Sequence, residues 1–574
     1  SGISEENQPM EAAVHGAGHR KGKRAQMKKI MPVIAALGLI AVCVLGFFGY
    51  RAARKYIPTK EMADLKSFYG VSGEDTAILY NQELQEARGL YMNGQTYLPI
   101  SWVNEHINKR FYWDGTENML VYALPDQIVY ADGETQGANG KPLLLDREDG
   151  VWLALGLVNN YTDVEILAFD SGDVKRVFVT DWGTRNMAAV KKSGKVRVRG
   201  GVKSPIVTEV ERDMQVAVLE SMEKWSKVQT PDGHLGYIQN KCLDTPEPQA
   251  FEGTAELPEY YGTPMDEKVV MAWHQVTSRE GNAGLNKLLE KTRGVNVVSP
   301  TWFALTDNEG NYSSLADQDY VKAAHDKGIQ VWALLDNFSD DVQSEKLLAS
   351  TSTRKKLIDS LMADVEKYDL DGLNMDFEGL KQEAGVHYVQ FLRELSIPCR
   401  QKGIVLSVDN TVPAEFNKFY DRKEQGIVVD YVVIMGYDEH YNGGAPGSVA
   451  SLGYVRDGIE NTLKLVPREK VILGVPFYTR VWTETDEGVK SSALGIEEAK
   501  AWIEANQVDL YWQKELGQYY GELPLENGIK MVWMEDEESL KLKMNLAREN
   551  DLAGVACWKL GLEDEEAWTA IGWD

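Results

Sequence analysis

The segment Asp371-Gly372-Leu373-Asn374-Met375-Asp376-Phe377-Glu378 is the densest run of side chains able to do chemistry. Read as a strand, its period of two puts Asn374, Asp376 and Glu378 on one face and Leu373, Met375 and Phe377 on the other. Burying three such polar groups costs several kcal/mol unless they are paired or used, and the strand supplies no cation to pair with them. Two carboxyl groups on one face suit proton transfer: a like charge at Asp376 raises the pKa of Glu378 and keeps it protonated as a general acid. Other chemistries are poorly served. Cys43, Cys242, Cys399 and Cys557 lie far apart without a CxxC pair or His-flanked spacing, so neither a zinc site nor a disulfide framework is implied. His274 and His440 are isolated and read as local hydrogen-bonding residues. The run Gly443-Gly444-Ala445-Pro446-Gly447-Ser448 lacks a P-loop lysine and reads as a turn. No HExxH, nucleophile elbow or cofactor motif is present.

A polar row of this kind needs a frame that holds it at the mouth of a cleft. Beyond Pro264, nearly continuous apolar runs begin near residues 269, 295, 330, 372, 404, 431, 471 and 554, with helical stretches such as 351–368 and 385–402 between them. This alternation predicts an α/β domain over 265–574 built as a (β/α)8 TIM barrel, with residues 477–553 as an insertion over its mouth. Chemistry in such a barrel sits at the C-terminal strand ends. The strand ends therefore add Met435-Gly436-Tyr437-Asp438 from the sixth run, Gly474-Val475-Pro476 from the seventh and Trp558 from the eighth.

At these positions the chain resembles the family 18 glycoside hydrolases, whose signature is a DxxDxDxE strand ending in the catalytic glutamic acid. Asp371, Asp376 and Glu378 match, and Asn374 departs. The third strand carries Ala333-Leu334-Leu335-Asp336-Asn337 where many secreted chitinases carry Ser-x-Gly-Gly. Both departures look more like the wall-active and spore-cortex-lytic N-acetylglucosaminidase branch. The resemblance implies that Glu378 protonates the glycosidic oxygen while the substrate's own 2-acetamido oxygen attacks the anomeric carbon, with net retention. Asp376 would orient the acetamido N–H and offset the developing positive charge, and Tyr437 would hold the acetamido carbonyl. Asn374, Met435, Asp438 and Trp558 are the expected substrate-binding residues, Trp558 as a flat floor for the sugar. Trp302, Trp482 and Trp533 are weaker candidates, since each is more often a core or lid aromatic than a subsite wall.

The rest of the chain reads as delivery. Residues 30–50 form a 21-residue stretch without a charge, enough to cross a bilayer. Six cations precede it and three follow closely, which predicts a basic cytoplasmic tail at 1–29, a single-pass anchor and an extracellular remainder, rather than a cleaved signal. Residues 1–60 carry a net +7, leaving −33 of the total −26 to the rest, so nucleic acid is excluded as a partner. Residues 56–190 read as a small α+β module with an internal duplication at an offset of 55, in which Tyr97 to Asn104 aligns with Trp152 to Asn159. Its first half resembles the stalk domains related to the N-terminal domain of copper amine oxidases, without any copper site. Residues 195–243 alternate short strands, and Trp225, Asp232-Gly233 and Gly236-Tyr237-Ile238 resemble the bacterial Src-homology-3-like domain, a small β-barrel. A linker rich in Pro and acidic residues is expected at 244–264. The whole is expected to be a membrane-tethered glycosidase acting on β-linked N-acetylglucosamine in peptidoglycan. A chitin or chito-oligosaccharide hydrolase and a non-catalytic glycan-binding barrel are the alternatives.

Overall fold

The computed structural model describes residues 21–573, with side chains from residue 30 onward. Most of the expected basic tail therefore lies outside the described residues. A helix, Lys21–Arg54, carries the uncharged stretch, and its part Ile30–Arg54 is long and apolar enough to cross a membrane. Beyond it the chain divides into two compact units, each continuous only in space.

The first unit takes residues up to Thr96 and Asp163–Thr254. Strands Asp75–Tyr80 and Lys175–Thr180 run parallel, flanked by the antiparallel Glu83–Met92 and Glu165–Phe169. The small β-barrel follows in Gly194–Arg197, Ile206–Val210, Gln215–Ser221, Trp225–Gln229 and Leu235–Gln239, closing on a core of Val196, Val210, Val216, Val228 and Ile238. The expected linker is partly a strand: Glu247–Phe251 pairs with Gly183–Ala189 at the sheet edge. An edge position tolerates Pro248, which has no N–H to donate, so a proline-rich sequence concealed a strand.

The second unit joins Tyr97–Thr162 to Ala255–Asp574. Its duplicated halves are visible as two strand-helix units, with Tyr97, Leu98 and Pro99 antiparallel to Ala154, Leu153 and Trp152. Leu98 faces Leu153, its equivalent at an offset of 55, so the repeats meet about a local twofold axis. A three-stranded sheet, Tyr112–Asp114, Met119–Ala123 and Ile128–Ala131, ties this piece to the barrel helices by polar contacts. Asp114 accepts hydrogen bonds from Thr351 N–H and hydroxyl, both 2.6 Å, and Arg110 pairs with Glu424 at 2.6 Å. Such contacts link residues far apart in sequence and leave no trace in local pattern.

The barrel strands are β1 Val269–His274, β2 Val297–Pro300, β3 Gln330–Asp336, β4 Gly372–Asp376, β5 Val405–Thr411, β6 Tyr431–Met435, β7 Val471–Pro476 and β8 Gly554–Trp558. All neighbours pair in parallel, and β1 with β8 closes the ring. β4 shows why a barrel forms here. A side chain at Gly372 would meet the Trp332 ring at 2.7 Å and the Val405 carbonyl at 2.8 Å, so glycine lets three strands close up under the polar row. Helix Thr351–Tyr368 delivers the chain to β4. Ser350 caps its start, and Asp369, at φ +56°, ends it by a left-handed turn. Between β7 and β8 a five-stranded antiparallel sheet, from Tyr478–Thr485 to Gly528–Trp533, forms the expected insertion.

Candidate active site

β4 ends at Asp376, and the chain leaves the barrel through Phe377, Glu378 and Gly379, the last at φ +60°, where a side chain would be strained. Two anchors fix this exit. Asn337, just past β3, accepts from the Glu378 N–H at 2.9 Å and donates to the Glu378 carbonyl at 3.0 Å. Tyr420 donates to the Phe377 carbonyl at 3.0 Å and accepts from Leu380 N–H at 3.3 Å. Phe377 stacks on Tyr388 with ring centres 5.1 Å apart, so the apolar face of the row is held by packing.

Strand register then sets carboxyl groups side by side. Asp336 on β3 is the partner of Asp376 on β4, and Asp409 on β5 comes one position after the Met375 and Val408 pair. Glu378 rises two residues above Asp376, toward solvent. Burial holds the Asp376 carboxyl well above the usual carboxylate range, and the charges of Asp409 and Glu378 add to the effect. Burial raises Asp409 likewise, against the opposing hydrogen bond from Asn374. Glu378 reaches the cleft as an exposed residue, yet its carboxyl is crowded by protein: burial raises it first, and the Asp438 and Asp336 charges reinforce this. The hydrogen bond with Asp376 pulls Glu378 the other way. The rise at Glu378 thus comes from burial and from the Asp438 and Asp336 charges, and not from a like charge on Asp376.

Asn374 is fully buried, and protein groups take both ends of its amide. Its oxygen accepts from Trp273 Nε1 at 3.1 Å, and its nitrogen donates to Ser407 Oγ at 2.9 Å and Asp409 Oδ1 at 2.8 Å. It has no face for a sugar, and its carboxylate partner is Asp409 rather than Asp376. Met435 is buried in the barrel core. Asp371 closes the base of the strand, accepting from Val331 N–H at 2.8 Å and pairing with His325 at 2.7 Å. Tyr437 lies edge-on to Trp273 and Tyr478, and burial, then the nearby Asp409 charge, hold its phenol far above its ordinary range, so it stays a neutral donor. Asp438, at φ +56°, accepts a hydrogen bond from Tyr478 of the insertion. Trp558 is half-buried, its ring 5.8 Å from that of Trp273. Trp302 and Trp482 are core residues, donating to Asn282 Oδ1 at 2.8 Å and to the Gly447 carbonyl at 2.9 Å. Trp533 lies against Tyr520 in the insertion sheet, ring centres 4.9 Å apart. His274 bonds Tyr320 at 2.9 Å and is lowered to about 4 by burial, so it is a neutral local residue, and His440 bonds the Ala445 carbonyl.

The family model for glycosyl hydrolases family 18 matches residues 267–563, and that for the bacterial SH3 domain matches 192–244. The chain belongs to family 18. Its enzyme class, a glycosidase, goes with the family. The uncharacterized glycosylase YvbX of Bacillus subtilis (strain 168) is 28% identical over 304 residues, 50% of this chain and 87% of that protein. The cortical fragment-lytic enzyme of the same strain is 30% identical over 243 residues, 41% of this chain and 56% of the relative, so only about half its length is matched. The spore cortex-lytic enzyme SleL of Bacillus cereus superposes with a TM-score of 0.49 at 22% identity, covering 56% of this chain and 77% of that one.

Four residues of this family 18 site escaped the sequence reading: Trp273, Asp336, Asn337 and Asp409. Each lies on or just past a barrel strand, and a signal was present, since Asp336 and Asp409 interrupt otherwise apolar runs where strands end. A cavity of about 660 Å3 opens beside Glu378, lined by Asn337, Phe338, Gln343, Ser344 and Gly379 among others, and is large enough for a sugar unit. Another of about 640 Å3 lies at the N-terminal strand ends, around Asp266, Asp430 and Lys470, on the face that serves stability in this fold.

Proposed function

We propose that this family 18 barrel cleaves β-linked N-acetylglucosamine in peptidoglycan, retaining configuration by substrate-assisted catalysis. The observation that carries the reading is the stacked pair of carboxyls. Glu378 faces the cleft with its proton held by crowding, while Asp376 lies enclosed beneath it at 6% exposure. A carboxyl enclosed beneath the cleft is a poor nucleophile toward a sugar lying in it, so the nucleophile comes from the substrate: the 2-acetamido oxygen closes on the anomeric carbon as Glu378 protonates the leaving oxygen. Asp376 stabilises the cationic oxazolinium ring from below, Tyr437 donates to the acetamido oxygen, and Trp558 floors the sugar.

Peptidoglycan is favoured over chitin by the cortical fragment-lytic relative and by the bacterial SH3 domain preceding the barrel. The apolar helix serves as an anchor that leaves the enzyme on the outer side, where that polymer lies. Mass spectrometry of fragments released from purified sacculi tests this: new reducing ends of N-acetylglucosamine are expected. Release from chitin alone would move the substrate to the chito-oligosaccharides, and binding without any release would make the barrel a lectin.

A further inference from the structure

Trp558, the floor proposed for the sugar, is followed by Lys559, and the backbone on either side of that lysine is pinned to the barrel rim. The Trp558 carbonyl accepts from Phe477 N–H at 2.7 Å, and Leu560 N–H donates to the Trp273 carbonyl at 3.0 Å. β8 thus hands the chain across to β1 at the C-terminal strand ends, with Lys559 between the sugar floor and the end of β1. Its ammonium donates to the side-chain oxygen of Gln275, an exposed residue one position past β1, and its charge acts on His274, the last residue of that strand.

Lys559 is half-buried, and burial lowers its pKa with no carboxylate charge acting to restore it. Two other lysines of the barrel domain show the usual arrangement: Lys500 is held by Glu537 at 2.7 Å and Asp564 at 2.6 Å, and Lys543 by Glu535 at 2.8 Å. In a chain with 87 acidic residues against 61 basic ones, partners for a lysine are plentiful, yet among the described residues Lys559 has only a neutral amide. That bond takes one of its three N–H groups and leaves two for an anion. Glycan strands of peptidoglycan alternate N-acetylglucosamine with muramic acid, so a muramic unit adjoins any N-acetylglucosamine that lies on Trp558. It differs from its neighbour by a lactyl ether ending in a carboxyl group, which is free or carries a peptide with carboxylates of its own. Oligomers of N-acetylglucosamine alone have no charge to offer.

The geometry points to Lys559, presented by Gln275, as a specificity-determining residue that binds a carboxylate on the sugar unit next to the one held over Trp558. This rests on the peptidoglycan reading above and names the feature of that polymer the barrel reads.

The test is Lys559→Met in the full chain, which keeps the length of the side chain and removes its charge. Three substrates of matched length are compared: glycan strands bearing their peptides, strands stripped of peptide so that the lactyl carboxylates are free, and neutral N-acetylated chito-oligosaccharide. The readout is the ratio of kcat/KM on an acidic strand to that on the neutral oligomer. It should fall about tenfold, as expected for one charge-assisted hydrogen bond at a partly solvated site, and the change should lie mainly in KM because the contact is remote from the reacting atoms. Lys559→Arg should restore most of the ratio. Gln275→Glu, a change at an exposed position that places an anion against the ammonium, should lower the ratio as well, and it decides the matter if Lys559→Met does not fold. A fall on stripped strands assigns the lactyl carboxylate, and a fall on peptide-bearing strands alone assigns a carboxylate of the peptide. A lysine that merely ties β8 to β1 would lower kcat/KM on all three substrates together and leave the ratio in place. An unmoved ratio with a wild type that cleaves the strands overturns this inference alone, whereas a wild type that cleaves only the neutral oligomer, or nothing, overturns the peptidoglycan reading and this with it.

Discussion

The sharpest perturbation of the site away from its acids is Asn337→Ala. Asn337 grips the Glu378 backbone from both sides, at 2.9 Å and 3.0 Å, and is itself steadied by Ser344 Oγ at 3.0 Å. These are partly solvated bonds, so each contributes about 0.5–1 kcal/mol net, and losing both costs about 1–2 kcal/mol. If all of it is felt at the transition state, at about 1.4 kcal/mol per factor of ten, kcat falls roughly 5- to 30-fold. Slack in the Glu378 loop adds to this, since misplacing a catalytic group by about 1 Å can cost about 100-fold. Steady-state kinetics on an N-acetylated oligosaccharide should therefore show a fall in kcat of about 5- to 100-fold with KM little changed. Ser344→Ala, which touches Asn337 only, should cost less than about threefold. A folded Asn337→Ala enzyme with wild-type kcat would refute the idea that this side chain positions the acid.

Glu378→Gln keeps the shape but cannot give up a proton, and its kcat should drop about 100- to 10,000-fold without loss of Tm; near-normal turnover would remove Glu378 from the mechanism. Asp376→Asn should still bind a thiazoline mimic of the oxazolinium ion while losing most turnover, and equal losses of both would mean a collapsed site. The reaction needs Glu378 protonated, so its raised pKa extends activity toward higher pH, and rate is lost as pH rises through that value. Asp438→Asn removes one of the charges that raise it, and the alkaline limb should shift to lower pH by up to about one unit; a shift upward would contradict the electrostatic assignment. Protease added to intact cells should remove the barrel and spare the segment before residue 30, and a protected barrel would reject the proposed topology.

The period-two polar face of residues 374–378 was legible because it is a property of one strand. What that face touches was not, since barrel neighbours are brought together by register across some 30–40 residues of intervening chain. Asn374 shows the difference: the sequence placed it on the inward face, but its carboxylate partner, Asp409, is on the next strand. Asn337 was quoted only as a departure from a motif, whereas its two bonds to Glu378 exist only once β3 and β4 lie side by side. The aromatics divide for a similar reason. Composition cannot tell a floor from a core, and Trp302 and Trp482 are core, while Trp273, inconspicuous in the apolar run VVMAW, holds Asn374. The attachment of residues 97–162 to the barrel helices was not legible either, since it depends on ion pairs such as Arg110 with Glu424, more than 300 residues apart in sequence.

The most direct test of the account compares a pair of oligosaccharides of equal length, one N-acetylated and one de-N-acetylated, at matched concentration and pH. If the acetamido oxygen is the nucleophile, the acetylated oligomer is cleaved with retention and the other is essentially inert. Brisk cleavage of the glucosamine oligomer, or a glycosyl adduct trapped on Asp376, would contradict the account.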